Sequence, residues 1–364
     1  MASRRHFVKT IGASAAAILS GARIHAQPSP QAGPPPPRDF GPGAPPAPYP
    51  DPDIVVVDPE FSGLTLFNTS IKRLWTGALW AEGPAWSTQG RFVVWSDVAG
   101  NRQYRWIDDD ERVTVFRSPS NNSNGNTFDF QGRQVSCEHL TRRVVRYEHD
   151  GTVTTLAESV NDKRLNSPND VAPHPDGSYW FTDPPYGRSV YEGRPEPREL
   201  PTAVYRIDKS GTIAQVVGED QVPDPNGITF SPDYKTLYVV STGRGPGDTG
   251  PGGKGDMFAL DVADGKTRNA RRFSDFMVDG AKCSPDGVRC DVTGHVWCSS
   301  NAGRSVGYHG VTVWTPQGKL IGRIRLPEVC ANLCFGGVKR NRLFMAASQS
   351  LYAVYVNTQG ASPG

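Results

Sequence analysis

Glu82-Gly83-Pro84-Ala85-Trp86-Ser87-Thr88-Gln89-Gly90 opens a unit that recurs five more times along the chain. The copies begin at Glu82, Asn124, Asn169, Asn226, Asp286 and Asn332, and each reaches a turn eight residues later, at Gly90, Gly132, Gly177, Tyr234, Gly294 and Arg340. A polar residue leads, Gly or Asp usually follows, and apolar residues then alternate up to the turn. Four of the turns carry Gly, and Pro232-Asp233-Tyr234-Lys235 and Lys339-Arg340-Asn341 are turn-compatible replacements. A strand of period 2 follows each turn: Phe92-Val93-Val94-Trp95, Gln134-Val135-Ser136-Cys137, Tyr179-Trp180-Phe181, Leu237-Tyr238-Val239-Val240, His295-Val296-Trp297-Cys298 and Leu343-Phe344-Met345-Ala346.

The leading residues lie 42, 45, 57, 60 and 46 positions apart, which suits one four-stranded antiparallel blade per copy with insertions in the third and fourth. The predicted fold is therefore all-β, a six-bladed β-propeller, as against a seven-bladed ring or a sandwich. Closing such a ring normally needs strands from both termini in one blade, and Ile71-Lys72-Arg73-Leu74-Trp75 is the candidate outer strand for the blade that contains residues 351–356. No twelve-residue window has a 3.6 period, so helices are expected to be short and few. Composition agrees: 39 Gly, 32 Pro, 8 Trp and 12 Tyr in 364 residues describe many turns and aromatic strands. A net charge of +2 leaves no nucleic-acid footprint.

Ahead of the repeats, Ser3-Arg4-Arg5-His6-Phe7-Val8-Lys9 has the pattern of a twin-arginine export signal. The apolar run at 10–22 is too short and too rich in Ala, Gly and Ser for a permanent membrane span, and Ile24-His25-Ala26 fits a cleavage site. Residues 1–26 are read as a signal peptide, 27–52 as a Pro-rich extended linker and 53–364 as the propeller, with the mature protein periplasmic and the export machinery as its partner. The six cysteines, Cys137, Cys283, Cys290, Cys298, Cys330 and Cys334, have no C-x-x-C or disulfide-framework spacing and read as buried apolar residues, with a Cys290–Cys298 bridge across a hairpin left open.

All six first strands of a propeller start at the same end of the central tunnel, so the leading residues form a ring of two carboxylates and four amides, with no Lys or Arg among them. Carboxylates held together without a basic partner call for protonation or a bridging cation. Oxygen donors without His or Cys suit a hard ion, Ca²⁺ above all, with Mg²⁺, Mn²⁺ or Zn²⁺ as alternatives. Taken singly, Asn and Asp also favour turn entries for local reasons; their common register is what points to a site.

Glu82-Gly83-Pro84-Ala85-Trp86, Ser167-Pro168-Asn169-Asp170-Val171, Phe181-Thr182-Asp183-Pro184-Pro185-Tyr186-Gly187, Pro225-Asn226-Gly227-Ile228-Thr229-Phe230-Ser231-Pro232-Asp233 and Asp286-Gly287-Val288-Arg289-Cys290-Asp291 together resemble the gluconolactonase and regucalcin family over residues 53–356. The Thr182-Asp183-Pro184-Pro185-Tyr186-Gly187 segment is similar to the bacterial gluconolactonase branch. The resemblance implies a six-bladed propeller with one catalytic divalent cation held by Glu82, Asn226 and Asp286, and by Asn169 directly or through water. It implies hydrolysis of a sugar lactone, with the cation polarising the carbonyl. Asp286 is the candidate catalytic base, or else only a ligand. Asn124 and Asn169 are candidates to orient substrate hydroxyls or water, and His139, Asp183 and Tyr186 to line the pocket. The Gly-rich loop at 242–255, with Arg244 and Lys254, is where substrate choice is expected to depart from gluconolactone. His174, His295 and His309 read as structural or solvated, and Arg142-Arg143 and Arg271-Arg272 as solvated blade edges.

A phosphotriester hydrolase on the same site and a non-catalytic binding propeller remain open at this stage. A quinone-dependent dehydrogenase lacks a basic cluster for its cofactor, and no G-x-S-x-G elbow marks a serine hydrolase. The export reading predicts that the mature protein, analysed by intact mass, begins at Gln27, and that replacing Arg4-Arg5 by two lysines leaves the uncleaved precursor in the cytoplasm. A mature form that retains Met1 would contradict it.

Overall fold

The computed structural model describes residues 36–41, 43–187, 197–243, 255–303 and 307–363. The export signal, the Ala26 cleavage site, the start of the Pro-rich stretch, Arg244 and Lys254 lie outside the described residues. No helix among those described is long and apolar enough to cross a membrane.

Six antiparallel sheets make a six-bladed β-propeller, as the repeat predicts. From the axis outward, blade 1 is Ala81–Ser87, Phe92–Asp97, Arg102–Ile107 and Val113–Arg117. Blade 2 is Ser123–Phe128, Gln134–Glu138, Arg143–Tyr147 and Val153–Ala157. Blade 3 is Val171–Pro173, Tyr179–Thr182, Val204–Ile207 and Ile213–Val217, and blade 4 is Pro225–Phe230, Thr236–Ser241, Asp256–Ala263 and Lys266–Ser274. Blade 5 is Ser284–Cys290, Val296–Asn301, Gly310–Trp314 and Leu320–Arg325, with Ile54–Val56 added as a fifth, outermost strand. Blade 6 is Cys330–Gly336, Arg342–Ala347 and Ser350–Tyr355, and its outer strand, Lys72–Thr76, comes from the N-terminal side as expected. Each innermost strand touches those of both neighbours, so the ring is closed.

The turn eight residues after each leading residue has a left-handed backbone in five blades: Gly132, Gly177 and Gly294, but also Tyr234 and Arg340, where the repeat lacks glycine. In blade 1 the left-handed residue is one position on, at Arg91. Among the described residues helix is confined to short pieces, notably the 3₁₀ turn Pro59–Leu64, which is capped by Asp58 and buries Phe61 and Leu64. His295 Nε2 donates to Glu60 Oε1 at 2.9 Å and so ties this turn to blade 5.

Trp75 of the closing strand packs on Trp95 and Tyr104 of blade 1, with ring centroids 5.5 and 4.6 Å away, so the seam is sealed to the next blade as well as within its own sheet. The segment read as linker is anchored from Arg38 onward. The Arg38 guanidinium donates to Asp51 Oδ2 (2.7 Å) and to the Ile71 carbonyl (2.8 Å), and Phe40 meets Tyr352 edge-on. Composition missed this because one Arg and one Phe, not an apolar run, hold the segment down. All six cysteines are free and buried. Cys290 faces Val296 and Cys298 faces Val288, so the hairpin register sets the two thiols diagonally, without a bridge.

Glycine after the leading residue serves close approach at the axis. A Cβ on Gly227 would lie 2.0 Å from the Asp286 carbonyl oxygen, and one on Gly125 would lie 2.4 Å from that of Asn169. Gly83 backs onto the Asn124 carbonyl in the same way, and Gly287 onto the side-chain amide of Asn332. Gly227→Ala is therefore expected to lower unfolding free energy by about 3 kcal/mol, the upper range for overpacking, measured by urea denaturation against Gly63→Ala, where a Cβ meets nothing within 4 Å, as a control.

Candidate active site on the propeller axis

In five blades the innermost strand carries a bulge at its start, between Glu82 and Ala85, Ser123 and Asn126, Pro225 and Ile228, Pro285 and Val288, and Cys330 and Asn332. In blade 3, Asn169 N donates to the Thr182 carbonyl while Thr182 N donates to that of Asp170. A bulge re-aims a side chain that strict alternation would send elsewhere. The six leading residues emerge from these irregular starts, all only 2–4% exposed.

Their surroundings leave several oxygens unused. Neither Asp286 oxygen receives a hydrogen bond, and Asn124 Oδ1 is buried without a partner. Asn226 Nδ2 donates to Thr242 Oγ1 (2.9 Å), which donates to the Pro285 carbonyl (2.7 Å); this fixes the amide and leaves Asn226 Oδ1 uncommitted by that bond. Glu82 Oε2 accepts from Gly83 N at 3.0 Å. The Asn124 carbonyl is held by Ser96 Oγ (2.8 Å) and Asn126 Nδ2 (3.1 Å). Asn169 is set by its backbone, its carbonyl accepting from Gly125 N at 2.8 Å.

Burial drives the Asp286 carboxyl well above the usual range, and repulsion from Glu82 and Asp170 adds to it, tempered by the nearby Asn226 amide. Burial likewise pushes Glu82 up to about 7; donors on Gly83, Asn332 and Trp80 oppose the rise and Asp170 reinforces it. Acidic groups this close and this dry are suited to neutralisation by a cation. Among the described residues no three His, Cys, Asp or Glu side chains form a metal-holding cluster, so amide oxygens must complete any ligand set here.

The expectation that no basic residue stands by the ring needs correction. Arg289, 4% exposed, reaches from blade 5 to blade 3, where Nη1 donates to Asp170 Oδ2 at 3.1 Å and Nη2 to Oδ1 at 3.5 Å. Asp183 is not placed as a substrate contact either. It is fully buried, and its two oxygens accept from the backbone N–H groups of Asn166 (2.8 Å) and Ser167 (2.9 Å), bracing the loop that presents Asn169. Tyr186 spends its hydroxyl on the Gly243 carbonyl (2.6 Å), joining two rim segments. His139 is buried against Gly187, and desolvation pushes its imidazole down to about 3, so it stays neutral. Arg142, expected on a solvated edge, is buried and donates to the Leu165 carbonyl, whereas Arg271 and Arg272 do lie exposed on the outer strand of blade 4.

Residues 80–349 match the model of the SMP-30/Gluconolactonase/LRE-like region. The chain belongs to this family. The gluconolactonase of Zymomonas mobilis is 26% identical over 84% of this chain and 87% of its own. The solved structure of a gluconolactonase from Xanthomonas campestris superposes with a TM-score of 0.73 at 33% identity, over 87% of this chain and 99% of that one. A calcium-binding regucalcin from Agrobacterium tumefaciens shares the fold, with a TM-score of 0.62 at 21% identity over 79% of this chain and 94% of that one.

A raised carboxyl pKa in the folded state gives stability that is fully present below the unfolded value of about 4.3 and is lost as pH rises through the folded one. Metal-stripped protein is therefore expected to lose stability between pH 5 and about 7, where Glu82 ionises without a partner. Thermal denaturation across that range checks this; Glu82→Gln should flatten the Glu82 contribution.

Proposed function

We propose that this lactone-hydrolysing enzyme opens a gluconolactone-like sugar lactone at the axial site, with one divalent cation, which we assign as calcium, held by Glu82, Asn226 and Asp286 and by Asn169 directly or through water. Membership of the family and its gluconolactonase and lactonohydrolase relatives support the reaction class. The observation that carries the ion is the pair of buried Asp286 oxygens with no hydrogen bond, facing a second buried carboxylate at Glu82. Such an ion supplies Lewis acidity toward a carbonyl oxygen where negative charge develops.

The chain's own groups supply the rest. Asp286 takes a proton from the attacking water at an oxygen that no donor occupies. Water oxygen bonds to the carbonyl carbon, the ring C–O bond breaks, and the ring oxygen takes the proton back from Asp286 to leave as a hydroxyl of the aldonic acid. Asn124 Oδ1, desolvated and unpartnered, is poised to accept from a substrate hydroxyl. Tyr186 tethers the rim, and the neutral His139 ring backs it without exchanging protons near neutral pH. We also place the mature enzyme in the periplasm, on the strength of the twin-arginine pattern at 3–9.

The test is hydrolysis of an aldonolactone panel, alongside a phosphotriester, before and after chelation. Chelation is expected to abolish lactone turnover and added Ca²⁺ to restore it, while Glu82→Gln lowers kcat/KM at least ~100-fold, the effect of losing a ligand or key electrostatic donor. Full lactonase activity in chelator would end the reading.

A further inference from the structure

Three positions beyond the leading residue on each innermost strand stand Ala85, Thr127, Ala172, Thr229, Arg289 and Phe335, all buried. Five are uncharged and the sixth is Arg289. With Thr127, Ala172 and Thr229 it lines a small cavity of about 10 Å³, room for at most one water. Its partner Asp170 occupies the position that holds glycine in blades 1, 2, 4 and 5, and it is fully buried. Asp170 Oδ1 also accepts from Val171 N at 2.9 Å, and Oδ2 lies 3.5 Å from Asn332 Nδ2. Arg289 Nη1 is further fixed by the Val288 carbonyl at 2.7 Å. No other described Lys or Arg pairs with Glu82, Asp170 or Asp286.

With all three carboxylates ionised, the cluster carries three negative charges against one positive. We propose that Arg289 is the charge-balancing residue of the axial site: by pairing with Asp170 it leaves an excess of two negative charges, the amount one divalent cation neutralises. This rests on the reading of the axis as a metal site. Without Arg289 the excess is three and favours a trivalent ion of similar size; without Asp170 the excess is one and weakens divalent binding. Arg289 is thus a positioning residue that acts on the ion's charge preference and touches neither ion nor substrate.

Metal-stripped mature protein is titrated by calorimetry with Ca²⁺ and, separately, Tb³⁺, and the ratio of the two affinities is compared among variants. Arg289→Met is expected to shift that ratio toward Tb³⁺ about tenfold, since ligand charge count tunes affinity in oxygen sites. Arg289→Lys should stay near wild type, and the double variant Asp170→Asn/Arg289→Met, which restores an excess of two, should return to the wild-type ratio. Should Arg289→Met fail to fold without metal, Asp170→Asn alone is expected to move the ratio about tenfold the other way. An unmoved ratio in the single variants, or a double variant that keeps the Arg289→Met ratio, overturns the role of the pair while leaving the metal reading intact. Wild-type protein that binds neither ion overturns both.

Discussion

Six strand starts crowd onto one axis, and most of the chemistry of this enzyme follows from how little room they leave. The backbones come so near that glycine must follow the leading residue in four blades, since a Cβ there would sit on the neighbour's carbonyl or, at Gly287, on the Asn332 side-chain amide. The same crowding strips water from Glu82 and Asp286, and this is why both carboxyls are pushed upward. Steric and electrostatic constraint are one constraint seen twice: no looser ring would make the carboxylates so poorly solvated, and no wetter one would make a cation so favourable.

The blades are not equivalent in how they hold this arrangement. Between blades 5 and 6, and between 6 and 1, large aromatic and aliphatic side chains fill the seam, including Trp297, Phe335, Trp86 and Phe344. Between blades 1 and 2 the seam carries a polar network that runs from Asn126 on an innermost strand to Arg117 on an outermost one. Gln103 Nε2 reaches Ser123, Asn126 and Ser136, Arg117 Nη1 donates to Gln103 and Gln134, and Asn126 Nδ2 holds the Gly83 and Asn124 carbonyls. A network so fully paired is directional where an apolar seam is not. It sits where two leading residues, Glu82 and Asn124, must be kept in register with each other.

The architecture was legible because it repeats: six leading residues, six turns at a fixed offset and a strand after each turn are a periodic signal, and the closing strand next to Ile71 was readable from topology. The ring residues were legible for the same reason. What escaped reading is local and aperiodic. Bulges do not show in an alternation pattern, so nothing in the repeat singles out Arg289. Asp183 looked like a loop carboxylate near a pocket, and only its two backbone donors reveal a brace. Arg142 and Arg143 read alike as a charged pair, yet one is buried and the other bonds Glu138. The one signal that pointed inward was Asp170, an acid where four of its counterparts are glycine.

The strand that completes blade 6 comes from residues 72–76, while the three strands it joins span residues 330–355. A nascent chain must therefore hold its early β-segment, with an exposed hydrogen-bonding edge and an unburied Trp75, until residues 330–355 have been synthesised. Until then five blades can stack, but the circle stays open and the axial carboxylates lack their final neighbours. Closure of the axial ring, and with it the proposed site, waits by this geometry on the making of blade 6.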